Sequence, residues 1–252
     1  MCGIVGYLGE KDSLEIILNG LKRLEYRGYD SAGIAVYNGS SIACCKSKGK
    51  ISKLEKNLLK RKNLNGSLGI GHTRWATHGE PNNVNAHPHF SNSNNLCLVH
   101  NGIIENYSTI KQKLIKEGFT FKSETDTEVL VNLIEFVKTK EDVKLGEAVQ
   151  IALNQVIGAY AIAIIDNEKP DEIVVAKLGS PLCIGVGDDE YFIGSDVTPF
   201  IEYTKNVVYL EDGEFAIIRN HKSTIYRKII NDKIISPTVS KLELSLDKIE
   251  KQ

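Results

Sequence analysis

Cys2-Gly3-Ile4-Val5-Gly6-Tyr7, directly behind Met1, is a short apolar strand that begins with a thiol. With Met1 removed, Cys2 carries that thiol and a free α-amino group on one carbon. A thiol is a strong nucleophile once deprotonated, and an amine with a pKa of roughly 7.7–8.0 can serve as its base. Gly3 adds no side chain that would crowd an incoming carbonyl. The same cysteine can equally be a small apolar residue at the start of a buried strand. A single Cys needs partners elsewhere in the chain before it is assigned chemistry.

Outward from this strand, Leu14, Ile17, Leu18, Leu21 and Leu24 recur at helical spacing, with Asp12 or Ser13 able to cap the start. The Gly-rich segment 27–33 breaks the helix and leads into a strand at 34–37. Asn38-Gly39 is a hairpin signal, with 42–45 as the returning strand. A polar helix is expected around 50–62, then a strand, Leu68–Arg74, whose end is polar. Residues 75–95 are dense in Asn, Pro and His without either period, and a loop of that length implies function. Leu96–His100 is a short strand running into Asn101-Gly102. Helices are expected near 106–117, 126–138 and 145–156, and Thr125 with Glu128 has the spacing of a capping box. Beyond 159 the pattern is nearly all β, with strands at 159–166, 171–178, 182–187, 190–194, 206–211, 214–219 and 223–230. Residues 236–252 are charged and predict a linker or tail. Strands at both ends with helices grouped between them predict an α+β chain, its sheets packed together and its helices outside.

Composition narrows the function. The 31 Lys+Arg against 32 Asp+Glu give a net charge of −1, and no long basic block appears. Nucleic acid and anionic membrane surfaces are therefore poor partners. Apolar stretches such as 159–165 are far too short to span a bilayer, and residues 1–9 lack the features of a secretory signal. The five cysteines, at 2, 44, 45, 97 and 183, form an odd set without framework spacing, which favours a reduced cytoplasm.

Four polar clusters sit where strands end or helices begin: Cys2, residues 72–79, residues 100–102 and residues 123–128. Together they supply what amide cleavage requires. Cys2 would be the nucleophile. The Asn101 side chain and the Gly102 N–H could stabilise an oxyanion, worth about 2.7–4 kcal/mol for one good donor. Arg74 can clamp a carboxylate and Asp126 can accept from an ammonium, so the pair would recognise the two charged ends of a free α-amino acid. Each has a plainer alternative. Arg74 beside Trp75 could be a surface cation stacked on an aromatic. Asn101-Gly102 is a common turn dipeptide, and Asp126 suits a helix N-terminus. The histidines at 72, 78, 87, 89 and 100 lack metal-binding spacing. Gly185-Val186-Gly187 runs into a strand and is no dinucleotide loop. No metal and no cofactor are expected. Cys44, Cys45, Cys97 and Cys183 fall in apolar strand patterns and read as packed thiols.

Cys2-Gly3-Ile4-Val5-Gly6, Arg27-Gly28-Tyr29-Asp30-Ser31-Ala32-Gly33, His72-Thr73-Arg74-Trp75-Ala76-Thr77-His78-Gly79, Asn82-Asn83-Val84-Asn85-Ala86-His87-Pro88-His89, His100-Asn101-Gly102 and Ser123-Glu124-Thr125-Asp126-Thr127-Glu128 resemble the class II glutamine amidotransferases. These belong to the N-terminal-nucleophile hydrolases. More narrowly, the motifs are similar to the glutaminase domain of the glucosamine-6-phosphate synthase family. The resemblance implies a four-layer αββα sandwich, with a glutaminase domain over 2–220 and a C-terminal strand and linker over 221–252. It implies Cys2 as nucleophile with its α-amine as base, and Asn101 with Gly102 as oxyanion hole. Arg74, Thr77, His78, Gly102 and Asp126 would hold glutamine, and Trp75 would sit on a mobile loop that gates ammonia. Arg27 is similar to a residue near a domain junction.

Members of that family also carry C-terminal sugar-isomerase domains that bind fructose 6-phosphate, and this chain stops near the linker. The expectation is hydrolysis of L-glutamine to L-glutamate and ammonia, the ammonia serving glucosamine 6-phosphate formation in a longer enzyme, for which a homodimer is one expectation. A catalytically silent glutamine-sensing module, or an amidohydrolase of the same fold with another substrate, is the alternative. Retention of Cys2, Asn101 and Gly102 disfavours the first, and paired recognition by Arg74 and Asp126 disfavours the second.

Overall fold

Gly3–Leu8 (β1) is buried along its whole length, where a sheet with one wet face would bury only alternate residues. The two faces meet different partners. Val5 and Tyr7 pack with the first two helices, whereas Ile4 and Leu8 pack against a second sheet. The computed structural model describes residues 2–61, 63–77, 79–219, 224–229, 231 and 233–243. After β1 come α1 (Ser13–Arg23), a short 3-10 turn (Glu25–Arg27), β2 (Ser31–Tyr37), β3 (Ile42–Lys48), α2 (Ile51–Leu58), β4 (Leu68–Arg74), β5 (His89–Phe90) and β6 (Leu96–Ile104). The helices α3 (Tyr107–Lys116), α4 (Asp126–Lys140) and α5 (Leu145–Leu153) follow. The rest is strand: β7 (Gly158–Asp166), β8 (Lys169–Leu178), β9 (Cys183–Val186), β10 (Tyr191–Gly194), β11 (Asn206–Tyr209), β12 (Glu214–Arg219), β13 (Ile225–Lys228), β14 (Ile234–Ile235) and β15 (Val239–Lys241).

Among the described residues the strands form two antiparallel sheets. One runs β15-β11-β9-β10-β1-β4-β2-β3, the other β14-β13-β12-β8-β7-β6-β5. Period-two alternation along β6 and β7 builds two of the three apolar layers. Leu98, Ile162 and Ile164 face α3, α4 and α5, while Cys97, Val99, Ala161 and Ala163 face the first sheet. With α1 and α2 on the outer face of the first sheet, the result is the expected four-layer αββα sandwich.

Several boundaries differ from expectation. The strand expected at 34–37 begins at Ser31, because 31–33 pair on both sides, with 46–48 and with 72–74. The strand expected at 96–100 continues to Ile104, so Asn101-Gly102 is no turn; the two residues pair opposite Ala161 and Tyr160. The loop at 75–95 contains the short β5. Part of the stretch expected as linker or tail is also structured, since 239–241 pair with 206–208. The capping box at α4 is half-formed. The Thr125 hydroxyl accepts the Glu128 N–H at 3.2 Å, but the Glu128 carboxylate turns to the N–H groups of Lys122 and Ser123.

The packed-thiol reading holds for Cys45, Cys97 and Cys183, which are buried, and all five cysteines are free. Among the described residues no helix is long and apolar enough to cross a membrane.

Candidate active site

Register brings the site together. Gly3 pairs opposite Thr73, so Cys2 lies beside the end of β4, where Arg74 and Trp75 follow. The Trp75 N–H donates to Cys2 Sγ at 3.2 Å, and the sulfur lies 3.5 Å from the Trp75 carbonyl. Burial pushes the Cys2 thiol up; the Trp75 N–H and the charge of Arg74 act against it. The resting thiol is therefore protonated at neutral pH and needs a base to react.

From the facing sheet, β6 delivers Asn101 beneath Cys2. Asn101 Nδ2 lies 3.4 Å from the Cys2 carbonyl oxygen and donates to Ser195 Oγ at 2.9 Å. Its Oδ1 is 2.8 Å from His72 Nε2, which donates in the tautomer protonated there. Gly102 follows with φ +131°, and a Cβ built on it would lie 2.0 Å from the Ala159 carbonyl oxygen. Backbone lies on both counts where only glycine fits. Gly102→Ala should lower stability by about 3 kcal/mol or more, read from the urea midpoint. A midpoint within experimental error of the parent would refute it.

Arg74 is only 3% exposed, which rules out the surface-cation alternative. Its Nη2 donates to the Gly79 carbonyl at 3.2 Å. Burial lowers its pKa, opposed by the nearby Asp30, Cys2, Asp126 and Glu124. Asp126 opens α4 but does not cap it. Its Oδ2 accepts the Ile104 N–H at 2.8 Å and lies 4.0 Å from His100 Nδ1. Asp30 fastens the strand end above Cys2, donating its N–H to the Arg74 carbonyl at 2.8 Å and accepting the Ala76 N–H on its carboxylate.

Trp75 is 55% exposed and its ring passes over Gly28; a Cβ there would lie 3.2 Å away, and φ is +75°. Thr77 is exposed on the same segment. His78 lies outside the described residues. Arg27 pairs with Asp196 at 3.6 Å, and Asp196 also accepts the Tyr26 hydroxyl at 2.7 Å. Cys2, Arg74, Trp75 and Asn101 thus meet at one rim, with Asp126 held beside the end of β6. Arg27 stands off it, paired with Asp196, the residue after Ser195. Ser195 carried no signal in the sequence, since a lone Ser at a strand end has no motif.

Behind Asn101 lies a set of buried imidazoles. His72 and His87 stack at 4.1 Å, and His87 meets His89 edge-on at 4.8 Å. Thr127 Oγ1 lies 3.0 Å from His100 Nδ1 and 3.3 Å from His87 Nε2. Among the described residues no group of three or more His, Cys, Asp or Glu could hold a metal. Burial lowers His72 to about 3 and holds His87 and His89 well below 6.5. Depressed folded-state values mean that the unfolded chain takes up protons first, below pH 6.5. Stability is therefore full above that pH and falls as pH drops from 6.5 towards 3, by up to about 1.4 kcal/mol per pH unit for each imidazole. Urea midpoints between pH 7.5 and 4.5 would show this; a flat profile would exclude neutral packing.

The description "Glutamine amidotransferase domain" matches residues 60–236. The chain is 56% identical over its full length to the glutamine–fructose-6-phosphate aminotransferase (isomerizing) of Bacteroides thetaiotaomicron. It is 52% identical to the enzyme of that name from Chlorobaculum tepidum, again over its full length. In both cases it spans 41% of the relative's own length. Among solved structures, the glutamine phosphoribosylpyrophosphate amidotransferase of B. subtilis superposes with a TM-score of 0.78 at 31% identity. That match covers 92% of this chain and 50% of the other. A class II glutamine aminotransferase domain protein from Silicibacter pomeroyi superposes with a TM-score of 0.62 at 17% identity, covering 90% and 99%, and shares the fold.

Proposed function

The chain belongs to the glutamine amidotransferase domain family, and from that premise we propose that it hydrolyses L-glutamine to L-glutamate and ammonia at Cys2. One observation carries the proposal: Cys2, directly before β1, has the Trp75 N–H on its sulfur, the Asn101 carboxamide at its carbonyl oxygen and the buried Arg74 next to Trp75. After removal of Met1, the α-amine of Cys2 takes the thiol proton as Sγ attacks the γ-carbonyl carbon. Asn101 Nδ2–H and the Gly102 N–H donate to the oxyanion. The protonated amine then gives its proton to the departing ammonia, leaving a γ-glutamyl thioester that water hydrolyses. Arg74 binds the substrate α-carboxylate and Asp126 its α-ammonium, with Thr77 and His78 as further contacts. Trp75 is the gate over the bound substrate, and Arg27 a residue of the junction beyond it.

Residues 2–220 would form this glutaminase unit and 221–252 the strand and linker leading on. In a longer protein of the kind that the relatives' names describe, the ammonia would convert fructose 6-phosphate to glucosamine 6-phosphate. Domains outside this chain would perform that step. The free cysteines suit a reduced cytoplasm, and a homodimer of the longer chain belongs to the same proposal.

Intact mass after treatment with a glutamine-like electrophile tests the chemistry. The expected product lacks Met1 and carries one adduct, on Cys2, suppressed by glutamine. Labelling at Cys44 instead, or retention of Met1 in an active sample, would refute the mechanism.

A further inference from the structure

Ser195 occupies a junction that the mechanism above leaves unused. It directly follows β10 and is 3% exposed. Its Oγ accepts two hydrogen bonds, from the Ile4 N–H at 2.8 Å and from Asn101 Nδ2 at 2.9 Å. Its own N–H donates to the Ile4 carbonyl at 3.1 Å. One side chain therefore ties the strand that carries the nucleophile to the residue that donates to the oxyanion, across the two sheets.

The carboxamide of Asn101 has one acceptor oxygen and two donor hydrogens. His72 Nε2 occupies the oxygen, which fixes which way the amide is turned. Ser195 takes one hydrogen, and the other points towards Cys2, whose carbonyl oxygen lies 3.4 Å from Nδ2. An amide anchored at two of its three positions cannot rotate, so its remaining N–H is aimed before substrate arrives. Aiming in advance is what gives an oxyanion donor its value, since no reorganisation is needed as charge develops.

We propose that Ser195 is a positioning residue for this reaction: by accepting from both Ile4 N–H and Asn101 Nδ2, it sets the distance and direction between the Cys2 sulfur and the Asn101 donor. Ser195 touches neither substrate nor reacting atoms. Its effect passes through Asn101, so it falls on the chemical step and not on capture of glutamine, which belongs to Arg74 and Asp126. The inference rests on the glutaminase proposal.

The test is steady-state glutamine hydrolysis by the 252-residue chain and by Ser195→Ala, Asn101→Ala and the double variant. Ser195→Ala should lower kcat by roughly 10- to 100-fold, the scale of a misplaced catalytic group, with KM changed by less than about 3-fold. On the Asn101→Ala background the same substitution should cost less than about 3-fold, because the group it positions is already gone. Unchanged kcat in Ser195→Ala, or an equal loss on both backgrounds, overturns the inference. Should Ser195→Ala not fold, Ser195→Cys keeps the volume with a weaker acceptor and is held to the same outcomes. A parent chain that is inactive on glutamine defeats the glutaminase proposal itself, which separates the two failures.

Discussion

Cys2→Ala should reduce glutamine hydrolysis by a factor on the order of 10⁴ or more, as expected when the nucleophile of a covalent mechanism is removed. The other four cysteines cannot substitute for it. Cys45, Cys97 and Cys183 are buried, and burial raises Cys44 to about 11, leaving little thiolate at neutral pH. The fold should barely notice. Cys2 lies outside β1 proper, and its sulfur receives one backbone hydrogen bond, the sort of contact worth about 0.5–1.5 kcal/mol net. The measurement pairs ammonia release with a thermal melt. Near-normal turnover in the variant would remove Cys2 from the chemistry, whatever the melt shows.

Asp126→Ala should raise KM for glutamine steeply while leaving the nucleophile reactive. A buried carboxylate facing an ammonium, once deleted, costs about 2–5 kcal/mol, on the order of 30-fold to several thousand-fold in affinity. Part of the loss in the alanine variant would be structural, because Ile104 N–H loses the acceptor that now lies 2.8 Å away. Asp126→Asn separates the two effects. Its side-chain oxygen can still accept from Ile104, so stability should be kept, yet the charge is gone and KM should stay high. The Cys2 adduct with a simple alkylating agent, which has no α-ammonium, should form at the parental rate in both variants. An unchanged KM in Asp126→Asn would take the carboxylate out of substrate recognition.

Much of this site was legible in the sequence because its residues sit at the edges of elements with strong periodicity. Cys2 directly precedes β1, Arg74 ends β4 and Asp126 starts α4, and each boundary was marked by a change of pattern. The layer order was legible for the same reason, since α1 and the strands after 159 carry clean apolar stripes. Asn101-Gly102 was harder. As a dipeptide it signals a turn, and only continued pairing with β7, which no local pattern encodes, keeps it in a strand. The stretch 239–241 has the same cause. It is charged and short, and it is ordered by the edge of β11 across an interval of the chain. Ser195 and the role of His72 as an amide clamp were out of reach altogether. Each depends on contacts between residues 29 to 191 positions apart, which a single sequence does not display.

The strand that directly follows Cys2 lies in the middle of a sheet. Four strands lie on one side of β1 and three on the other, and the neighbour on the first side, β10, is made of residues 191–194. A ribosome adding about 5–20 residues per second needs roughly 10–40 s after making Cys2 before that neighbour exists. Through that interval β1 lacks one of its two edges, and Asn101 lacks the serine that holds it. The sheet around β1 is therefore complete only once residues 191–194 have been made. On the proposed mechanism, a nascent chain that has not yet reached Ser195 would lack the acceptor that holds the Asn101 donor.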